Sequence, residues 1–347
     1  MTNLNPDILL ITSWDTACGI AEHSALLKDA VETQSTLRML PLAGNPASQP
    51  ASPEDVATIY ASLGTPILHL NYHAALHSRW TPDWVRQFQA MGAKIVITYH
   101  DSGVPNADQC KQLAYVLRPG LDAMVVHEPF DDLPIQKAHY IRMGVAAPRM
   151  PTRFGVREPR YEDDLRLDSF QFKAYDAQPV LGTVGFPFPW KNYDLLAEIT
   201  GQLGWALILL APRATQDQID TWRARNPYSH IQTQFSHRDA VLSVLTGCDA
   251  TAFTYVTHNT GQSGAILQGI AARKPVIALK TCRQFRALYQ DPLGRSTIKW
   301  AETFEDVAAH LRSVRIQRID PGMVALAEQE SWKTVGQKYL DLYQGLR

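Results

Sequence analysis

The chain has 347 residues, 33 basic against 34 acidic side chains, a hydrophobic content of 45% and a charged content of 19%. That balance excludes a disordered chain, and the length calls for two domains at roughly 100–200 residues each. Residues 1–160 carry 13 basic and 15 acidic side chains and the remainder 20 and 19, so neither half has the basic excess of a polyanion binder.

No apolar run approaches the roughly 18 residues of a bilayer span. Met1–Pro6 has no basic n-region, so no leader or integral membrane segment is expected and the location expected is cytoplasmic. Cys18, Cys110, Cys248 and Cys282 are scattered, which indicates neither a disulfide framework nor a zinc ribbon.

Asp7–Thr12 (DILLIT) reads as a buried strand, followed by a small loop with Gly19 and a helix over Ile20–Val31. Further apolar runs occur at Pro66–Leu70, Lys94–Tyr99 and Ala123–His127. Each is separated from the next by helix-like sequence, so right-handed crossovers and a parallel sheet are expected. Residues Arg157–Gln178 are charge-dense and interrupt the rhythm; the junction is placed there. A second series follows: Pro179–Gly185, a helix from about Asn192, Trp205–Leu210, Ala250–Phe253 and Pro275–Leu279. Ser331–Arg347 has helical periodicity in Trp332, Val335, Tyr339, Leu342 and Tyr343. The expectation is an N-terminal domain over 1–156 joined by the closing helix 331–347, and a second over 157–330. In such sheets ligands sit beyond the carboxyl ends of the strands.

Three strand-end segments could hold an anion. In Thr257–Leu279 a polar loop with Gly261 and Gly264 opens a small-residue helix, and Ser263 adds a hydroxyl; helix-start amides suit a phosphate or diphosphate. An ordinary loop over a packed helix explains the same residues. In Gly182–Leu196 Lys191 lies near a helix start, where the macrodipole disfavours a cation unless an anion accompanies it. A solvated lysine is the alternative. In Ser13–His23 Gly19 opens the first helix, with Glu22 and His23 in its first turns, near a ligand or capping the helix.

His69, His73 and His77 have a spacing that could imitate a metal ladder, but their flanks read as strand, loop and helix start. No metal site is expected. His100 and His127 each follow an apolar run directly, where an imidazole can meet a sugar hydroxyl or exchange a proton near neutral pH; a histidine satisfied by local backbone is the alternative. The chain has no G-x-x-x-x-G-K-[ST], complete G-x-G-x-x-G or G-x-S-x-G. Asp131-Asp132 and Asp163-Asp164 lack the interrupted spacing of a metal–diphosphate site.

In this order CGIAEHSALL, TYHD, VVHEP, GTVGFPFPWKNYDLLAEI and SGAILQGIAARKPVIAL resemble the GT-B glycosyltransferases, above all the retaining family 4. The resemblance implies an α/β chain of two Rossmann-like domains facing across a cleft, with the C-terminal helix returning to the first. It implies metal-independent hexosyl transfer from a nucleoside-diphosphate sugar with retention, and no further cofactor. Carried over, Gly19 falls on the glycine loop facing the donor phosphates, His100 on the histidine at the donor sugar and Lys191 on the lysine of the diphosphate. Thr260, Gly261, Gln262, Ser263 and Gly264 form the helix-start cradle. The family's arginine is replaced by Phe186, and its two glutamates by Thr260 and Gln268; Gln268 can still hydrogen-bond a ribose.

The function expected is therefore transfer of a sugar from a nucleoside-diphosphate sugar to a hydroxyl acceptor. No sequence pattern encodes the acceptor (saccharide, lipid or modified nucleic acid), the sugar, the base or the oligomeric state. The rivals are a non-catalytic nucleotide-sugar binder, an epimerase or hydrolase on the same scaffold, and sugar transfer onto DNA bases, which the near-neutral charge disfavours.

Overall fold

The computed structural model describes residues 6–13, 19–42, 53–64, 67–72, 82–100, 121–127, 138–146, 178–256, 262–314 and 319–347. Contacts divide the chain into two units, one of 1–144, 259–262 and 332–347 and the other of 145–258 and 263–331. Residues 157–177 of the charged stretch chosen from sequence as the junction lie outside the described residues, as do Asp131, Asp132, Asp163 and Asp164.

The first unit contains β1 (Asp7–Ser13), α1 (Gly19–Val31), β2 (Thr36–Leu42), α2 (Pro53–Leu63), β3 (Ile67–Tyr72), α3 (Pro82–Ala90), β4 (Lys94–Tyr99), β5 (Ala123–Val126) and β6 (Ala138–Tyr140). Its strands make one parallel sheet ordered β2-β1-β3-β4-β5-β6. The central strands are buried along almost their whole length, as helices on both faces of a parallel sheet demand. On one face Tyr60, Phe88, Leu68 and Ile97 form the core.

The second unit contains β7 (Val180–Val184), a 3-10 turn at Pro189–Lys191, α4 (Tyr193–Leu203), β8 (Ala206–Leu210), α5 (Gln216–Arg225), β9 (Ser229–Gln232), α6 (Arg238–Gly247) and β10 (Ala250–Phe253). It continues with α7 (Gly264–Ala271), β11 (Val276–Leu279), α8 (Arg286–Gln290), α9 (Pro292–Thr297), β12 (Lys299–Ala301), α10 (Phe304–Ser313) and α11 (Pro321–Gln329). Its parallel sheet runs β12-β11-β10-β7-β8-β9. Gly269 lets α7 lie close on this sheet, because a Cβ there would collide with the Phe253 ring.

The last helix, α12 (Trp332–Gly345), belongs to the first unit. The five residues of its predicted stripe are all buried. Gly336 admits the backbone of α1, since a Cβ there would press into Ala30. Two tyrosines fasten the helix to the sheet. Tyr343 Oη lies 2.6 Å from His69 Nδ1, His69 Nε2 lies 2.8 Å from Thr98 Oγ1, and Thr98 Oγ1 lies 3.2 Å from Tyr339 Oη. His69 is thus a wholly buried structural residue, and the ladder spacing has no ligand role there; His73 and His77 lie outside the described residues. No helix among the described residues is long and apolar enough to cross a membrane.

Candidate functional site

In the second unit the chain leaves β7 through Gly185 at φ +130°, a backbone conformation that side chains rarely tolerate. A Cβ at this glycine would run into Lys191 Nζ. The lysine is thereby drawn beneath the strand end, and only 6% of its surface is exposed. Its ammonium lies 4.8 Å from the Tyr255 ring centre and 5.5 Å from that of Trp190. Among the described residues no carboxylate pairs with it. Burial pushes its pKa down to about 7, so this cation is held without the anion that would balance it.

The surrounding loop is fixed by hydrogen bonds. Thr254 Oγ1 donates to Lys191 O (2.9 Å), Val256 N–H to Trp190 O (2.8 Å), and Asn192 Nδ2 to both Trp190 O (3.1 Å) and Thr254 O (2.9 Å). Asn192 itself takes the left-handed conformation that ends the 3-10 turn and starts α4. The solvated-lysine alternative therefore fails for this residue. Replacing Gly185 with Ala should lower unfolding stability by about 2–4 kcal/mol, because it combines a disfavoured φ with a steric collision. Thermal denaturation checks this.

Tyr255 connects the lysine to the start of α7. Its hydroxyl donates to Val184 O (3.3 Å) and also meets the Ser263 hydroxyl. Ser263 caps α7 without a side-chain bond to the helix amides, so the first-turn N–H groups keep no side-chain acceptor from their own cap. Gly264 opens the helix and is exposed. One turn on, the Oε1 of half-buried Gln268 is sealed from solvent without a hydrogen-bond donor. The Oε1 of Gln262 is occupied, accepting from Met143 N–H at 2.7 Å. Thr260 and Gly261 lie outside the described residues.

The aromatic loop after Gly185 is visible in the sequence, but its ring contacts and a nearby arginine are not. Phe186, Phe188 and Trp190 make a run of ring contacts that Phe235 extends from beyond β9. Phe188 and Phe235 are exposed. Over Phe186 lies the guanidinium of Arg213, 5.6 Å from the ring centre. Arg213 is exposed and held at φ +68° after β8, a conformation that costs of order 1–3 kcal/mol in a non-glycine residue. Its sequence signal was faint: one arginine in the turn APRA, with no spacing to relate it to Lys191.

In the first unit, Gly19 opens α1, is exposed, and has open space where a Cβ would stand. Glu22 lies in the helix's first turn and His23 is buried behind it. His100 and His127 stand at the ends of the adjacent strands β4 and β5. The three imidazoles converge, with ring centres 4.7 Å apart for His23–His100, 5.2 Å for His23–His127 and 5.1 Å for His100–His127. Trp332 closes over His23 at 5.1 Å.

Burial drives the His23 pKa well below its ordinary value and the His127 pKa to about 4. The proton exchange near neutral pH expected of His127 is thus corrected: its ring is neutral there. His127 Nδ1 lies 2.8 Å from Ile141 O. A carbonyl only accepts, so Nδ1 carries the proton and Nε2 the lone pair.

No family model matches the chain, and no curated protein does. Solved structures do. A glycosyltransferase from Rickettsia africae superposes with a TM-score of 0.68 at 12% identity, covering 99% of this chain and 98% of that one. HepE from Anabaena, solved in complex with UDP, gives 0.68 at 13% identity over 98% and 100%. Sucrose-phosphate synthase from Thermosynechococcus elongatus gives 0.67 at 14% over 98% and 99%. The chain has the GT-B fold. At these identities the likeness shows the fold alone; the residues above must carry any activity.

Proposed function

We propose that this GT-B chain is a hexosyltransferase of the cytoplasm, moving a sugar from a nucleoside diphosphate to a hydroxyl acceptor with retention. The observation that carries the reading is Lys191, a buried lysine without a carboxylate partner among the described residues, joined through Tyr255 to the serine that starts α7. A diphosphate supplies the missing negative charge. The fold's occurrence in a protein solved with UDP-glucose supports the same reading.

In the reaction the bond between the anomeric carbon and the diphosphate oxygen breaks, and the acceptor oxygen bonds to that carbon on the same face. The acceptor proton passes to the departing phosphate oxygen. Lys191 and the amides of Ser263 and Gly264 answer the charge growing on the diphosphate, an electrostatic contribution of several kcal/mol in a site closed to water. The sequence has no D-x-D pair to hold a metal on the diphosphate, and this arrangement needs none. Arg213 supplies a second positive charge at the rim, and the exposed aromatic run offers a stacking face. Gln268 Oε1 accepts from a ribose hydroxyl, and Gln262 braces the turn before the helix. Thr260 and Gly261 complete the cradle. In the first unit, Gly19 is assigned to the donor phosphates and His100 to the donor sugar.

Thermal-shift titration with nucleoside diphosphates and their hexose conjugates, followed by mass spectrometry of sugar transfer, tests the reading. A nucleoside diphosphate should stabilise the protein, and Gln268→Ala should weaken that ligand about tenfold, the worth of one hydrogen bond. No stabilisation by any nucleoside diphosphate at millimolar concentration would overturn the proposal. Tight binding without transfer to any hydroxyl acceptor would reduce it to a binding protein.

A further inference from the structure

Two buried histidines of the first unit, His23 and His127, leave polar atoms that their surroundings do not satisfy. His23 is 1% exposed, and both of its ring nitrogens lack a hydrogen-bond partner among the described residues; His127 is 4% exposed, and its Nε2 lacks one as well. Buried polar atoms in that state cost about 1–3 kcal/mol each. Three separate chain segments nevertheless bring these side chains to one point.

We infer that His23, His100 and His127 form a binding site for one divalent d-block cation of the zinc class. One donor atom from each histidine can be chosen so that all three lie within 4.8 Å of one another. Four-coordinate zinc with bonds of about 2.0–2.1 Å needs nitrogens roughly 3.4 Å apart, so the rings close in by up to about 1.4 Å on binding.

The tautomer of His127 fits the same occupant. Its Nδ1–H is donated to the Ile141 carbonyl, leaving the Nε2 lone pair for the ion. A backbone acceptor on the far nitrogen is the usual outer-shell arrangement of a metal-bound histidine. Nitrogen-only ligation selects zinc, copper, nickel or cobalt over magnesium and calcium, which require oxygen. The orphaned atoms are sealed from solvent, so an atom-sized occupant reaches them more readily than a sugar does.

With three protein ligands the ion keeps one open position for water or another donor. The inference rests on the first unit alone and does not depend on the donor site around Lys191. His100 can give one nitrogen to the ion while the other meets a sugar hydroxyl.

The test uses chelator-dialysed full-length protein, with Zn2+ in competition against a chromophoric chelator and Co2+ as the spectroscopic probe. One equivalent of Co2+ should bind with the intense visible bands of a four-coordinate ion, and saturating Zn2+ should raise Tm by a few degrees. His23→Phe keeps the ring shape and removes both orphaned nitrogens, so the variant should be at least as stable as the metal-free protein. It should bind Zn2+ about 100-fold more weakly and lose the visible bands. His127→Gln should lose them too, whereas exposed His139→Ala should not. Failure of the wild-type protein to take up one equivalent, or unchanged uptake in His23→Phe, would overturn the inference. Neither result bears on nucleoside-diphosphate binding, which the thermal-shift titration reads separately.

Discussion

Lys191→Met should raise the stability of the protein while removing its affinity for nucleoside diphosphates. The ammonium sits against Tyr255 and Trp190, and burial lowers its pKa from 10.5 to about 7. Between these values the unfolded chain binds the proton and the folded one releases it. The cost to folding is therefore fully present below pH 7 and vanishes as pH rises towards 10.5.

A shift of that size corresponds to about 5 kcal/mol between the two protonation states, and relaxation of the pocket returns part of it. Methionine fills nearly the same volume without charge, so a gain on the order of 1–3 kcal/mol at pH 7 is expected. Denaturant unfolding at pH 7 and pH 10 checks both sign and pH dependence; the gain should shrink at the higher pH. Nucleoside-diphosphate affinity should fall by about 100-fold or more, as for loss of one partner of a buried charge pair.

Calorimetry in buffers of different ionisation enthalpy offers a second readout. A diphosphate restores the lysine proton, so binding near pH 7 and above should be accompanied by proton uptake. If Lys191→Met destabilises the protein and leaves binding intact, the lysine is a packing residue and the donor site lies elsewhere.

This strain also explains what could be seen from sequence. Lys191 stood out because a cation near a helix start contradicts local electrostatics, and a contradiction of that kind is visible without coordinates. The central strands were visible for a different reason. The runs at Asp7–Thr12, Lys94–Tyr99, Trp205–Leu210 and Pro275–Leu279 are buried on both faces and read as apolar blocks.

The strands that escaped notice, β2, β6, β9 and β12, are the edges of the two sheets. All four residues of β9 are only partly buried, and β12 has a single buried residue; neither imposes a hydrophobic pattern. The histidine cluster was missed because proximity across a parallel sheet leaves no local period. Adjacent strands set His100 beside His127, and the helix after β1 delivers His23. The helical spacing of His69, His73 and His77 drew attention to a set whose first member is committed to tyrosine and threonine.

That commitment makes His69 the source of the other large effect. Its ring is enclosed by Tyr343, Thr98 and Tyr339, with His127 as the nearby titratable group that further disfavours its charge. Burial lowers its pKa to about 3. Because the unfolded histidine titrates at 6.5, the unfolded state binds the extra proton between pH 6.5 and 3. The stabilisation is fully present above pH 6.5 and is lost as pH falls through that window. One proton over such a window is worth about 1.4 kcal/mol per pH unit, and the bonds at stake hold α12 to β3 and β4.

Acid should therefore release α12, with its amides exchanging at pH 4.5 well before those of β7 and β8. His69→Gln keeps hydrogen-bonding capacity without a titrating ring. It should lower stability at pH 7 by about 1–3 kcal/mol, through imperfect geometry with Tyr343 and Thr98. It should also flatten the dependence of stability on pH below 6.5 by about one proton. The difference between variant and wild type then narrows on acidification and reverses between about pH 6 and pH 4. Urea unfolding at several pH values gives the slope directly. Equal slopes in the two proteins would mean that His69 enters the unfolding transition already protonated, which its enclosure between sheet and helix forbids.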